Sequence, residues 1–414
     1  MSESLQITAA RLDPALLDLP WDVELEQWPA EVLAALPRGL SRHVVRFVKL
    51  SGSLVAVKEI GERVAFHEYA TLRTLQRLEV PSVEPLAVVT GRRDANGEEL
   101  NTALVTQHLP FSLPYRALFS QTMRPATVDR LIDALSVLLV RLHLTGFYWG
   151  DVSLSNTLFR RDAGALAAYL VDAETGEVHP TLTVGQRTYD VDLARTNIIG
   201  EMMDLQAGGV LDEDHDVIAT GDRLVERYEF LWRELTESER IGIDERWRVM
   251  ERITRLNDMG FDVDEITLST DIDGMTMSIK PKVVDAGHFH RQIMRLTGLD
   301  VQENQARRML NDMDSYRALT GRQGDDLELV AHDWLTDVFE ATVRAVPREY
   351  RSKLQPAEVF HEVLEHRWYI SERERRDVPI TEAVRSYVDT VLRHSPDERA
   401  FLDADTVEMP AVEA

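Results

Sequence analysis

The alternation of apolar and polar positions near the start of the chain predicts strands around a single helix. The stretch "RHVVRFVKLSGSLVAVKEI" indicates two strands joined by a turn at Ser51-Gly52, and "VEPLAVVTG" and "LNTALVTQHL" indicate two more. Between the two pairs, apolar residues recur at helical spacing over residues 62–78. Residues 35–107 are therefore predicted to form a small lobe, preceded by an N-terminal arm at residues 1–34.

Longer amphipathic patterns predict a mainly helical region over residues 108–235. "TVDRLIDALSVLLVRLHLTG" places leucines on one helix face and ends at Gly146, a residue type that commonly ends helices. The stretch "GFYWGDVSLSNTLF" follows, with polar Asp151 and Asn156 between apolar flanks. "ALAAYLVD" then indicates a short strand that ends at Asp172, and "YDVDLARTNIIGEMMDL" indicates a further helix.

Helical patterns also dominate residues 236–395, with one predicted β-hairpin. "DEITLSTDIDGMTMSIKPK" alternates around a turn at Asp273-Gly274, a strong hairpin signal. Residues 396–414 are acidic, so we predict a disordered tail there. The patterns as a whole predict an α+β protein with more than one domain.

Composition narrows the class of protein. The 414 residues are 44% hydrophobic and 28% charged, which is typical of globular chains with two or three domains. Acidic residues outnumber basic ones by 71 to 46, and the net charge of -25 disfavours binding to nucleic acid or anionic membranes. The absence of cysteine excludes disulfides and thiolate chemistry. The pattern contains no signal peptide and no membrane span, so a cytoplasmic protein is expected.

Five polar side chains stand where the pattern predicts regular structure or its ends. In chain order they are Lys58, Glu68, Asp151, Asn156 and Asp172. Burying such groups without partners costs free energy, so partners are expected for those that are buried. Each residue alone has an ordinary interpretation, as a surface charge or as a side chain that caps a turn. What indicates a functional site is that all five occur in this order and in these structural settings.

This order resembles the protein-kinase-like fold. The resemblance implies a bilobal module, with an N-lobe at residues 35–107 and a C-lobe at residues 108–235, that binds ATP and Mg²⁺. It implies that Lys58 holds the nucleotide phosphates, that Glu68 orients Lys58, and that Asp151 accepts the proton of the acceptor hydroxyl.

The resemblance also implies that Asn156 and Asp172 bind Mg²⁺. An Asp of "TYDVDLARTNI", which we take to be Asp192, is expected to brace the catalytic loop. Gln107 and Leu109, at the end of a predicted strand, are further candidates for nucleotide binding.

The match is closer to some branches of the fold than to others. "YWGDVSLSN" lacks the His-Arg that precedes the catalytic Asp in ordinary protein kinases, and it is similar to the loop of aminoglycoside phosphotransferases and lipopolysaccharide kinases. A complete glycine-rich loop is missing. "LPRGLSRH", with Gly39 and Ser41, is taken as a reduced version that contacts the nucleotide.

The C-terminal region resembles a different family. "TGLDVQENQARRMLNDM" and "HRWYISERERRDVPITEAVRSYVDTVL" are similar to an actinobacterial family whose C-terminal part is catalogued as domain of unknown function 4032. The resemblance implies a mostly α-helical C-terminal domain after the kinase-like module, and it carries over no function.

Two further motifs have simpler explanations. "HEVLEH" places His361 and His366 five positions apart, whereas a zinc-binding helix requires a spacing of four. The two helices predicted over residues 288–313 resemble a helix-turn-helix DNA reader with Arg307 and Arg308 on its second helix. The acidic surroundings favour antiparallel helix packing instead.

The sequence therefore predicts an ATP- and Mg²⁺-dependent phosphotransferase that acts on a hydroxyl of a small molecule, a glycan or a protein. The alternative is a catalytically inactive scaffold that binds a protein partner through its C-terminal domain. No nucleic-acid partner is expected for either.

Overall fold

The computed structural model describes residues 4–34, 43–120, 126–242, 245, 247–258, 261–270, 276–395 and 398. The chain divides into two units. The first unit comprises residues 1–160, 168–225 and 397–414, and the second comprises residues 161–167 and 226–396. Strands and helices occur in both units, which confirms the predicted α+β class.

A five-stranded antiparallel sheet dominates the first part of the first unit. In chain order its strands are β1 (Gln6–Ala9), β2 (Val45–Leu50), β3 (Ser53–Ile60), β4 (Pro85–Thr90) and β5 (Thr102–Gln107). In space they follow the order β1-β4-β5-β3-β2. The turn between β2 and β3 lies at Ser51 and Gly52 as predicted, and both residues have positive φ angles.

The two faces of this sheet are covered by different parts of the chain. On one face, Trp21 and Trp28 pack with Leu16 and Leu25 against valines of the strands. The segment predicted as an N-terminal arm therefore shields this face from water. The opposite face packs against helix α1 (Glu62–Arg77).

The remainder of the first unit is mainly helical. Its helices are α2 (Tyr115–Ser120), α3 (Ala126–Leu144), α4 (Val184–Ala207) and the first part of α5 (Val217–Thr236), which continues into the second unit after residue 225. Its short strands are β6 (Leu113–Pro114), β7 (Phe147–Tyr148) and β10 (Glu177–Val178), with most of the hairpin of β8 (Thr157–Asp162) and β9 (Ala165–Leu170). Helix α4 begins with a capping box in which Thr183 and Gln186 satisfy each other's backbone donors.

The second unit combines a small sheet with a helical core. Its strands are β11 (Glu239–Gly242), β12 (Phe261–Thr270) and β13 (Thr276–Ala286), with β13 in the centre. Its helices are α6 (Trp247–Asp258), α7 (His288–Thr297), α8 (Glu303–Leu319), α9 (Leu327–Trp334), α10 (Ala341–Ala345), α11 (Pro356–Glu374) and α12 (Ile380–Thr390). Strands β12 and β13 confirm the predicted hairpin, while its Asp273-Gly274 turn lies outside the described residues.

The tip of the β8–β9 hairpin, residues 161–167, belongs to the second unit, where a buried polar network holds it. Asp162 Oδ1 accepts a hydrogen bond from the backbone N–H of Gln305 (2.9 Å), and its Oδ2 accepts one from the Asn304 amide (2.9 Å). Glu358 Oε2 accepts from the backbone N–H of Ala163 (2.9 Å) and from Gln305 Nε2 (2.8 Å). Burial raises the pKa of Asp162 to about 6, although these donors favour the ionised form.

No helix in the described part of the chain is both long enough and apolar enough to span a membrane.

Candidate functional site

A cavity of about 830 Å³ opens in the first unit. All five polar residues singled out in the sequence line it: Lys58, Glu68, Asp151, Asn156 and Asp172. Gln107 and Leu109 line it as well, whereas Gly39 and Ser41 lie outside the described residues. Folding thus brings together side chains that are distant in sequence, from Lys58 on β3 to Asp172 just after β9.

Lys58 lies at the centre of three carboxylates. Strand β3 is flanked by β2 and β5, so Lys58 is held between Val45 and Leu104 in the sheet. Its Nζ lies 2.7 Å from Asp172 Oδ2, 3.1 Å from Glu68 Oε2 and 3.5 Å from Glu174 Oε2. Three carboxylates therefore share one ammonium group.

This arrangement perturbs the protonation of both Lys58 and Glu68. Burial alone would lower the pKa of Lys58, but the charges of Glu68 and Asp172 outweigh burial and raise it. Burial raises the pKa of Glu68 to about 7, and the negative charge of Asp172 acts in the same direction. Glu68 is the most buried of the three acids, so burial acts most strongly on its carboxyl.

Asp172 and Glu174 are placed by the loop that follows β9. The backbone N–H of Glu174 donates to Asp172 Oδ1 (3.0 Å), which fixes both side chains in a tight turn. Glu174 Oε2 also lies 3.1 Å from His43 Nε2. Glu174 was not among the predicted site residues, and the signal available for it was a second acid two positions after Asp172.

Asp151 follows Gly150, which has a φ of 76°. A side chain at Gly150 would meet the backbone oxygen of Thr175 at 3.3 Å, so glycine suits this turn for two reasons. Asn156 Nδ2 donates to both the backbone oxygen and Oδ2 of Asp151, each at 3.0 Å. The amide group of Asn156 thereby orients the Asp151 carboxylate and keeps its own Oδ1 for another partner.

The residue that braces this loop is Asp190, and the prediction of Asp192 was wrong. Asp190 is fully buried and accepts hydrogen bonds from the backbone N–H groups of Trp149 (2.7 Å) and Gly150 (2.8 Å). Two residues along a helix correspond to a rotation of about 200°, so Asp192 points to the opposite side and is exposed. His143 also contacts Asp190 at 3.2 Å, and burial lowers the pKa of this histidine.

A second brace, which the sequence did not reveal, comes from Glu201, about three helix turns further along α4. Glu201 accepts from the backbone N–H groups of Leu154 and Ser155, both at 2.8 Å, and from the Ser155 hydroxyl at 2.6 Å. Asn197 donates to the backbone oxygen of Val152 at 2.9 Å. Burial raises the pKa of Glu201, while these donors favour its ionised form.

Another part of the cavity is apolar. Its lining includes Val45, Ala56, Leu104, Leu158 and Val171. The Gln107 side chain donates to the backbone oxygen of Leu54 (2.7 Å), so its amide ties β5 to the start of β3. A flat, largely apolar group such as a nucleobase fits a lining of this kind.

The donor set next to Lys58 suits a hard divalent cation. Asp172 offers carboxylate oxygens and Asn156 offers an amide oxygen, which are the ligand types that Mg²⁺ prefers. Among the described residues, Glu68, Asp172 and Glu174 form the one group of three acids or histidines whose candidate ligand atoms lie within 4.8 Å of one another. His361 and His366 are engaged elsewhere, with His366 Nε2 lying 3.0 Å from Ser386 Oγ.

A family model matches the C-terminal region of the chain. Residues 230–392 match the family model described as domain of unknown function (DUF4032). This confirms the resemblance predicted for that region. No curated protein matches the chain.

A solved structure described as "WaaP in complex with acyl carrier protein" is similar to part of the chain. The match covers 61% of this chain and 99% of the other, at 14% sequence identity and a TM-score of 0.36. At this TM-score the two structures share too little to support any statement about function.

Proposed function

We propose that the first unit is a bilobal, protein-kinase-like phosphotransferase that moves the γ-phosphoryl group of ATP to a hydroxyl. The observation that carries the proposal is one cavity in which Lys58 is paired with Glu68 and Asp172 while Asn156 orients Asp151. Phosphoryl transfer depends mainly on positioning and charge stabilisation, and these side chains supply both.

Lys58 and the apolar lining have separate tasks in nucleotide binding. The Lys58 ammonium binds phosphate oxygens, and Glu68 keeps it oriented when the phosphates draw it away from Asp172. The apolar side chains, with Ala56 and Val171 among them, enclose the base, and Gln107 and Leu109 lie beside them.

In the transfer step, the acceptor oxygen forms a bond to the γ-phosphorus while the bond from that phosphorus to the bridging oxygen of ADP breaks. The acceptor hydroxyl loses its proton to the Asp151 carboxylate, and the leaving ADP takes the electron pair of the broken bond. Asn156 orients the Asp151 carboxylate for this task, because its side-chain nitrogen donates to Oδ2. Asp190 and Glu201 keep the loop fixed during the step.

Asn156 Oδ1 and the Asp172 carboxylate would hold Mg²⁺, with Glu174 close by. The ion neutralises phosphate charge when bound. This assignment fits the amide geometry, because the nitrogen of Asn156 already faces Asp151 and its oxygen is left for a cation.

Thermal denaturation with Mg·ATP and Mg·ADP tests the proposal. A ligand that binds the native state must raise its melting temperature, so both complexes should stabilise the protein at millimolar concentration. ATP with EDTA should stabilise it less. If the protein is folded and neither Mg·ATP nor Mg·ADP raises its melting temperature, the proposal is contradicted.

The same samples separate an enzyme from a scaffold. If nucleotide binds but no γ-phosphate leaves ATP with any hydroxyl compound tested, the first unit is a nucleotide-binding scaffold. A protein partner of the C-terminal region then becomes the leading explanation for the chain.

A further inference from the structure

One carboxylate oxygen in the cavity faces two hydrogen-bond donors. Glu174 Oε2 lies 3.1 Å from His43 Nε2 and 3.5 Å from Lys58 Nζ, and all three side chains line the cavity. An ionised carboxylate can only accept hydrogen bonds, so the His43 nitrogen that meets Glu174 carries a hydrogen. A single oxygen therefore lies between an ammonium group and an imidazole N–H.

The five-stranded sheet fixes the two positions from which these donors extend. Lys58 on β3 pairs with Val45 on β2. The backbone N–H of Glu59 donates to the backbone oxygen of Val44 at 3.0 Å, so the residue that follows His43 is also tied to β3. The backbone at His43 and Lys58 is thus held without any help from Glu174.

Glu174 contributes a negative charge that Lys58 does not need. Asp172 and Glu68 lie closer to the ammonium group, at 2.7 and 3.1 Å, and the contact with Glu174 is the longest of the three. The side chains of His43 and Glu174 are 33% and 17% exposed, so burial does not lock this pair in place. Another anion can therefore replace the Glu174 carboxylate while Lys58 keeps its closer partners.

Phosphate oxygens have the same requirements as this carboxylate oxygen. They carry negative charge, they accept hydrogen bonds, and a diphosphate or triphosphate offers several of them at once. A nucleotide whose phosphates reach Lys58 must compete with Glu174 Oε2 for the space between the two donors. His43 is the last residue of "LPRGLSRH", so a donor from the stretch predicted to contact the nucleotide does line the cavity.

We propose that His43 and Lys58 form a two-donor phosphate site and that Glu174 is an internal competitor for that site. This inference rests on the proposed function, because it names the residue that binds nucleotide phosphates beside Lys58. When the nucleotide binds, its phosphate oxygens accept the hydrogen bonds of His43 and Lys58, and the Glu174 carboxylate moves away. Glu174 thereby lowers the affinity of the cavity for phosphate compounds.

A metal ion offers another explanation for Glu174, and it predicts the opposite sign. Candidate ligand atoms of Glu68, Asp172 and Glu174 lie within 4.8 Å of one another. A metal ligand would strengthen binding that depends on Mg²⁺, whereas a competitor weakens binding with or without Mg²⁺. The position of Glu174 Oε2 between two N–H donors favours the competitor.

Equilibrium titration of the full-length protein with ADP, in Mg²⁺ and in EDTA, tests the inference. Glu174→Gln keeps the size of the side chain but removes its charge, so ADP should bind about tenfold more tightly in both conditions. His43→Ala should weaken ADP binding by about three- to tenfold, because one hydrogen bond to phosphate is lost. Adenosine, which has no phosphate, should bind the wild type and both variants alike.

Two further variants and a second probe control for indirect effects. Glu177→Gln removes the same charge three positions further along, from a side chain that is 62% exposed, and it should bind ADP as the wild type does. His43→Gln retains an N–H donor and should recover part of the affinity that His43→Ala loses. Pyrophosphate reports on the phosphate site without the base, and Glu174→Gln should bind it more tightly than the wild type.

The outcomes separate the inference from the proposed function. If ADP binds neither the wild type nor Glu174→Gln, the proposed function falls and the inference falls with it. If ADP binds the wild type and Glu174→Gln weakens that binding in Mg²⁺, Glu174 is a metal ligand and only the inference is overturned. Unchanged affinities for ADP and pyrophosphate in Glu174→Gln, or changes that adenosine shares, would overturn it as well.

Discussion

Two clusters of carboxylates, one in each unit, differ in the groups that satisfy them. In the second unit, Asp162 and Glu358 accept hydrogen bonds from amide groups of Asn304, Gln305 and the backbone. In the first unit, Glu68 and Asp172 share the Lys58 ammonium and line an open cavity. In each cluster the pKa of one acid is raised. A raised pKa alone therefore does not distinguish a functional site from a cluster that only stabilises the fold.

The clusters differ in whether the carboxylates have enough partners within the protein. The amides around Asp162 form a closed set that fixes the hairpin tip and needs no ligand. The Lys58 cluster has three acids for one cation, so phosphate oxygens and a metal ion can redistribute its charges. We therefore expect substitutions in the Lys58 cluster to change ligand binding or turnover, and substitutions in the Asp162 cluster to change stability.

The largest effect is expected at Asp151. Asp151→Asn keeps the shape of the side chain but removes the base, so phosphoryl transfer should fall by about 10²–10⁴-fold while Mg·ADP affinity is retained. The assay is transfer of labelled γ-phosphate from ATP to a panel of hydroxyl compounds. Asp192→Asn is the control, because this exposed residue on α4 should give wild-type rates. Equal losses in both variants would remove Asp151 from the reaction.

The comparison between the clusters is sharpened by a pair of variants. Asp172→Asn should weaken metal-dependent nucleotide binding by about 10–100-fold, because it removes a proposed ligand of Mg²⁺. Asp162→Ala should leave nucleotide affinity unchanged but lower stability by about 1–3 kcal/mol, because it strands buried amide donors. Chemical denaturation and nucleotide titration of both variants provide the measurement. If Asp172→Asn lowered stability and Asp162→Ala lowered nucleotide affinity, the comparison would be reversed.

A smaller effect is expected at Glu201, which acts through the loop it holds. Glu201→Gln keeps one acceptor oxygen and loses the charge, so we expect kcat to fall by about tenfold with the KM for ATP unchanged. Glu201→Asp retains the charge on a shorter side chain, and it should recover part of the loss. A change confined to the KM for ATP would contradict a positioning role.

The smallest effect concerns pH. The pKa of Glu68 is raised to about 7 in the folded protein, so its contribution to stability is fully present below its ordinary pKa and is lost as pH rises through about 7. Glu68→Gln removes this titration. The stability of the variant relative to wild type should therefore increase between about pH 4.5 and 7 and then level off. Parallel stability curves for the two proteins across that range would show that Glu68 does not titrate there.

Much of the fold could be predicted from the sequence because local patterns dictate it. Strands β2 and β3 and helix α1 follow from alternation and helical periodicity, and these elements position Lys58 and Glu68. The bracing residue was misassigned because "DVD" offers two aspartates, and only the rotation of α4 decides that Asp190 faces the loop. Helix periodicity leaves that rotation uncertain when the pattern is short.

Other features depend on tertiary contacts that no local pattern contains. Glu201 is an unremarkable acid in the sequence, and its role appears only when α4 lies against the loop around Leu154. The capture of Asp162 by Gln305 joins residues 143 positions apart. The sharing of Lys58 with Glu174 likewise follows from a turn geometry, since the Glu174 N–H donates to Asp172.

The most direct test of the central claim is a crystal of the protein with Mn²⁺ and a non-hydrolysable ATP analogue. We expect an anomalous manganese peak within coordination distance of Asp172 and Asn156 Oδ1, and phosphate oxygens bound to Lys58. A nucleotide bound elsewhere, with Lys58 still held by its three carboxylates, would contradict it.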